Sequence, residues 1–210
     1  KRQVPSALVT GKDGMFYMAT QHQQKNDVRG VSSVIYKLDK SLRIVWKRSF
    51  LPTTPSRIHA IKTRRNGGFI VAGEIAVPGG KNRQRIGGWL MALSSQGGME
   101  WQREYPRGFN SRLNFVYESE KGHIFSAGTA EPPADAARSV WVMTNYENSN
   151  PIWQRYFTGP YDYNVAGFHV VAPHFASALL QGTPVKKVGM SHVRLLDLSS
   201  LGNVLNDRSY

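Results

Sequence analysis

The 210-residue chain contains no cysteine. That excludes a disulfide scaffold, a thiolate zinc site and a cysteine nucleophile, and it leaves the redox compartment open. No run approaches the roughly 18 consecutive apolar residues of a membrane-spanning helix. Acidic residues are scarce: 14 Asp and Glu stand against 27 Lys and Arg, for a net charge of +13. No long segment shows helical periodicity. Disorder is excluded by composition, because 40% of the chain is hydrophobic and 11% aromatic, enough to build a core. The length suits one domain or two small ones. The first residue is Lys1 rather than Met, so a processed or partial chain is expected.

What the chain does contain is a repeat. Three segments read Trp46-Lys47-Arg48-Ser49-Phe50, Trp101-Gln102-Arg103-Glu104-Tyr105 and Trp153-Gln154-Arg155-Tyr156-Phe157. A degenerate fourth copy is Asn206-Asp207-Arg208-Ser209-Tyr210. The anchors Trp46, Trp101, Trp153 and Asn206 step by 55, 52 and 53 residues. A period of about 50 falls in the range of propeller blades.

The rest of each unit repeats in step. An apolar run follows a turn upstream of each anchor, as in Gly67-Gly68-Phe69-Ile70-Val71-Ala72-Gly73 and Lys121-Gly122-His123-Ile124-Phe125. A further run lies just before each anchor: Val34 to Leu38, Trp89 to Leu93, Trp141 to Thr144 and His192 to Leu196. Turn signals separate them, at Asn66-Gly67-Gly68, Gly97-Gly98, Asn148-Ser149-Asn150 and Gly202-Asn203. Several strands are apolar on both faces, as expected of a sheet stacked between two neighbours. The fold class is therefore all-β, a β-propeller with four units of four antiparallel strands. The blades are expected at about 4–51, 55–106, 112–157 and 163–210. A closed four-bladed ring and part of a larger propeller both fit, and the lack of a spare strand to latch a ring favours the part.

The segments Leu38-Asp39 through Trp46, Leu93-Ser94 through Trp101, and Gly68 through Gly73 resemble the quinoprotein-like propeller repeats of bacteria. Such repeats occur in dehydrogenases that hold pyrroloquinoline quinone and in cofactor-free scaffolds such as the outer-membrane assembly lipoprotein. The resemblance covers nearly the whole chain. The fourth unit departs from it, with Asn206 where Trp is expected.

Trp and Arg two apart on a strand share a face. Trp46 with Arg48, Trp101 with Arg103, and Trp153 with Arg155 are therefore candidate cation–π pairs. A feature repeated in every blade reads as architecture, so these six are expected to be structural anchors, each Trp wedged between blades. Candidate binding residues come from the basic loops: Lys81, Arg83 and Arg85, then Arg107, then Lys186 and Lys187. Lys25, Arg29 and Arg112 extend this rim, and Glu131 and Asp135 interrupt it. Such a rim suits an acidic protein or a polyanion. A second basic cluster, Lys62, Arg64 and Arg65, is expected on the opposite rim.

A catalytic constellation is hard to find. The six histidines lack the helical spacing of a zinc protease, and Gly11-Lys12-Asp13-Gly14 reads as a hairpin turn rather than a phosphate loop. His169 and His174 flank a turn, but no metal is assigned. Phe109, Tyr161 and Tyr163 lie in inter-blade connections and are the aromatics best placed to stack on bases. The expected function is a non-enzymatic scaffold without cofactor. It would dock protein subunits, acidic ones included, in a periplasmic or extracellular assembly of bacteria. The alternatives are a quinoprotein dehydrogenase fragment and a module for polyanionic glycan, with nucleic acid disfavoured.

Overall fold

The computed structural model describes residues 3–23, 31–50, 54–79, 84–108, 110–131, 137–172, 175–184 and 190–210. It is all-β, and among the described residues every regular element is a strand. The first sheet contains β1 (Gln3–Thr10), β2 (Phe16–Gln23), β3 (Val31–Leu38) and β4 (Ile44–Phe50). The second contains β5 (Ser56–Thr63), β6 (Phe69–Pro78), β7 (Gln84–Leu93) and β8 (Met99–Tyr105). The third contains β9 (Asn110–Glu118), β10 (Ile124–Glu131), β11 (Ser139–Asn145) and β12 (Pro151–Phe157). The fourth contains β13 (Tyr161–Ala172), β14 (Phe175–Pro184), β15 (His192–Ser199) and β16 (Val204–Ser209). Each is a meander in chain order, antiparallel throughout. Four such sheets match the four sequence units and make the fold propeller-like.

The hairpins explain why the strands stop where they do. In seven of them a backbone bond closes a four-residue turn whose last residue is left-handed: Gly14, Leu42, Gly67, Gly97, Gly122, Ser149 and Gly202, with φ from 60° to 84°. Glycine adopts that conformation without a Cβ penalty, which is why the punctuation was readable in the sequence.

The chain divides into two compact units, Lys1–Tyr105 and Pro106–Tyr210. In the first unit, Tyr17, Ile35, Ile58, Phe69, Val71, Trp89 and Met91 form one core between the first and second sheets. Phe69, Ile70, Val71 and Ala72 are all fully buried, so β6 is covered on both faces. In the second unit, Phe125, Val142, Trp153, Tyr163, Ala178, Leu180, Leu196 and Leu198 form the core between the third and fourth sheets. β11 is buried along its whole length, whereas every residue of β16 is exposed.

Two of the anchors, Trp46 and Trp153, lock the sheets within their units. Trp46 packs edge-on against Tyr17, with ring centroids 5.9 Å apart. It also covers Gly97 in the β7–β8 turn, where a Cβ would lie 2.6 Å from the indole. Trp153 covers Gly202 in the β15–β16 turn, and its Nε1 donates to the Ser200 carbonyl at 2.6 Å. Trp101 is half-buried on β8. Asn206 occupies the register position of the missing fourth Trp, opposite Asp197, and donates Nδ2 to its carboxylate at 3.1 Å.

Candidate interaction surface

The first strand of every sheet carries a one-residue bulge at the same place. The bulged residues are Ser6, His59, Asn114 and Ala166. A bulge re-aims the side chains beside it and often borders a functional surface. Here it turns polar groups together at the end of each unit that carries the β2–β3-type loops.

In the first unit those groups are Arg57, His59 and Glu74. Glu74 is only 5% exposed. Its carboxylate lies 3.5 Å from Arg57 Nη1 and 3.4 Å from His59 Nε2. In the second unit Glu131 is the hub. It faces Arg138 Nη2 at 3.2 Å and Arg112 Nη2 at 3.6 Å, and accepts from Asn110 Nδ2 at 3.0 Å. The Arg138 amide donates to Asp162 at 2.7 Å, and Arg138 Nη1 donates to Asn164 at 2.9 Å. Buried charge persists only when it is compensated, and in both clusters the carboxylate lies within ion-pairing distance of arginine. Glu131, expected as an acidic interruption of the rim, is enclosed by the rim's own arginines.

The sequence carried a signal for this that the basic-loop reading passed over. Ser56-Arg57-Ile58 and Ser111-Arg112-Leu113 hold the same place relative to the bulge. A repeated Arg there marks a built pair rather than a loose loop cation.

Of the candidate binding residues, Lys81, Arg83, Lys186 and Lys187 lie outside the described residues, as do Lys25, Arg29 and Asp135. Arg85 is not an exposed loop residue. It lies half-buried in β7, opposite Val77, and has a polar interaction of its own. Arg107 is exposed after β8, in the other unit, and its amide donates to Ser111 Oγ at 3.2 Å. The expected second basic cluster also changes character. Arg64 is 2% exposed and paired with Glu100 of β8 at 2.5 Å, while Lys62 and Arg65 are exposed.

Of the Trp–Arg pairs, Arg48 stacks over Trp46 at 5.2 Å. Arg103 is half-buried, and Arg155 turns its Nη1 to the Gln154 carbonyl at 3.0 Å. The aromatics assigned to connections are strand residues instead. Tyr163 is buried in the second unit's core, and Tyr161 stacks on His192 at 4.6 Å with planes 4° apart. Tyr163 is thereby closed to base stacking, and Tyr161 already has a ring stacked on it. Phe109 and His174 lie outside the described residues. Among the described residues, no three of His, Asp and Glu are grouped to hold a metal ion.

The same corner contains the best-formed ion pair of the fourth sheet. Arg194 lies 5.7 Å from the Tyr163 ring centre, donates to the Thr158 carbonyl, and grips Asp207 through Nε at 2.9 Å and Nη2 at 2.7 Å. The fork geometry is the strong form of Arg–carboxylate pairing. The Arg194 bonds hold the Asp207 carboxyl below its ordinary pKa, against the opposing effect of burial. A depressed carboxyl stabilises the fold above its unfolded pKa, and that share is lost as pH falls through the folded pKa. Asp207→Asn is therefore expected to lower the melting temperature at neutral pH. The gap from the parent should shrink as pH falls below the usual carboxylate range, read from melts across an acid series. A gap that is constant with pH would show that the pair does not form.

No protein-family model matches the chain. No curated protein matches it in sequence. Among solved structures, the chain is similar to a eukaryotic initiation factor, with TM-score 0.38 and 11% identity over 98% of the chain. It spans 55% of that structure's length. It is also similar to a member of the DUF4221 family from Bacteroides vulgatus, with TM-score 0.45 and 6% identity. That match covers 100% of this chain and 85% of the other.

Proposed function

We propose that the protein is a non-enzymatic β-propeller scaffold that docks other protein subunits, in a bacterial envelope or secreted assembly. The observation that carries this reading is β16. All six of its residues are exposed, among them Val204 and Leu205, and it presents Asn206 where the other sheets place Trp. An edge strand that is exposed and partly apolar invites a further strand or sheet. The likeness of the repeat units to bacterial quinoprotein-type propellers, cofactor-free scaffolds among them, supports the same reading. So does the use of the polar clusters in pairing: Glu74, Glu131 and Asp207 are each held by arginine. In this reading the four sheets are part of a larger propeller or of an assembly. The basic residues Lys81, Arg83, Arg107, Lys186 and Lys187 contribute contacts to an acidic partner in this reading.

Deleting residues 203–210 removes β16 and is expected to abolish association before it unfolds the first three sheets. Solution mass by light scattering, with and without the native partner mixture, reads the result. If the truncated chain assembles to the parent's mass, docking lies on another face and the reading fails.

A further inference from the structure

The charge of the chain is concentrated in one half. The unit Lys1–Tyr105 carries eighteen Lys and Arg against six Asp and Glu, a net of +12. The unit Pro106–Tyr210 carries nine against eight, a net of +1. Part of the first unit's surplus, Lys12, Lys40, Arg43, Lys62 and Arg65, lies at the hairpin-turn end of its sheets.

Three carboxylates lie at that end, and each is already engaged. Asp13 accepts from Lys37 Nζ at 2.7 Å and from Tyr17 Oη at 2.9 Å. Asp39 accepts from Arg43 Nε at 2.9 Å and from two backbone amides of its own turn. Glu100 pairs with the buried Arg64. Lys12, Lys40 and Lys62 are left without a carboxylate partner among the described residues. The Lys12 ammonium reaches a neutral acceptor, the Arg65 carbonyl, at 2.7 Å and so ties the inner turns of the two sheets together. Lys40 lies along Gly14 of the inner turn of its own sheet. Lys12 and Lys40 therefore share one continuous end surface, with Lys62 near the close of β5.

Leu42 sits at the tip beside Lys40. It is 65% exposed and left-handed at φ 60°, where five of the other six hairpins have glycine and one has serine. The exposed Ile44 and Val45 follow it. An apolar side chain held in a conformation that disfavours it, and held in water, calls for a reason outside the fold.

Two of the matching positions in the second unit, those of Lys12 and Lys40, have the opposite charge. Glu120 takes the turn place of Lys12, and Glu147 lies along Gly122 as Lys40 lies along Gly14. The feature is therefore particular to the first unit and is not a property of the repeat.

We infer that the turn end of the first unit docks on an anionic lipid bilayer surface, with Lys12, Lys40 and Lys62 over the headgroups and Leu42 entering the acyl boundary. Charge complementarity supplies the attraction, and an exposed leucine beside lysine is the pairing that interfacial binding uses. A soluble polyanion would engage the lysines but would leave Leu42 without a role. The described turns at this end carry no aromatic residue to stack on bases.

Co-sedimentation of the full chain with phosphatidylcholine vesicles, with and without phosphatidylglycerol, tests this. Binding is expected only to the phosphatidylglycerol vesicles and should weaken as salt rises. Replacing Lys12, Lys40 and Lys62 together with Gln should weaken it roughly 100-fold, from about fivefold for each cation near an anionic surface. Leu42→Asn should weaken it roughly tenfold, from the lost apolar burial. Asn accepts the left-handed conformation, so this variant should melt no lower than the parent. Arg155→Gln, in the other unit, should bind as the parent does. The inference is overturned by absence of pelleting, by equal pelleting with phosphatidylcholine alone, or by variants that bind undiminished. Salt-sensitive retention on heparin or DNA without vesicle binding overturns it too and identifies a soluble polyanion instead.

Discussion

Trp153→Ala is expected to destabilise the second unit by about 3–5 kcal/mol, the range for truncating a large buried aromatic. The ring is 8% exposed and belongs to the core between the third and fourth sheets. It lies flat over Gly202, which has φ 76° and leaves no room for a Cβ. Its Nε1 donates to the Ser200 carbonyl, so the truncation also strands a backbone acceptor in a part-buried turn. Chemical denaturation followed by intrinsic fluorescence and far-ultraviolet dichroism measures the loss. Gly202→Ala should cost less but act through the same contact, because its methyl would meet the indole at 2.7 Å. In the double variant the methyl no longer meets the ring, so the two costs should fall short of additivity. A loss under about 1 kcal/mol for Trp153→Ala would show that the anchor is not seated, since exposed substitutions fall in that range.

The parts of this fold that local chemistry dictates were the readable ones. A turn residue that needs positive φ announces itself as glycine, and five of the seven such hairpins have it. The spacing of Trp46, Trp101 and Trp153 set the repeat, since the same ring recurs at one register position in three of the four sheets. The polar clusters were harder to read because their partners are far apart in sequence. Arg64 looks like one of two exposed turn cations, yet its partner Glu100 lies 36 residues on, across the sheet. Glu131 meets Arg112 because of the bulge at Asn114, which shifts the strand's alternation by one residue. Simple period-two reading places side chains on the wrong face beyond such a bulge. Arg85 and Tyr163 were misplaced for a related reason: strands β7 and β13 run further toward the loops than turn residues alone suggest.

The bulges also set the second large effect. Gly73 faces Ile58 beside the bulged His59, and Gly128 faces Leu113 beside the bulged Asn114. At each, the bulge pushes the neighbouring strand's backbone inward. A Cβ on Gly73 would fall within the carbonyl oxygen of Arg57, and one on Gly128 within that of Arg112. Backbone cannot swing aside as a side chain does, so the ladder itself must shift. That shift would pull Arg57 from Glu74 and Arg112 from Glu131, coupling the packing strain to the loss of a partly buried ion pair. Gly73→Ala and Gly128→Ala are each expected to cost about 3 kcal/mol or more, at or beyond the upper end for overpacked core positions. Gly167→Ala is the matched control. Its Cβ would meet only Leu179 at 3.7 Å, an ordinary contact, and its φ is not left-handed. That variant should be neutral or slightly stabilising, because alanine restricts the unfolded chain. Urea melts of the three variants separate the outcomes. If Gly73→Ala melts with the parent while Gly167→Ala does not, the bulges are not where the register places them.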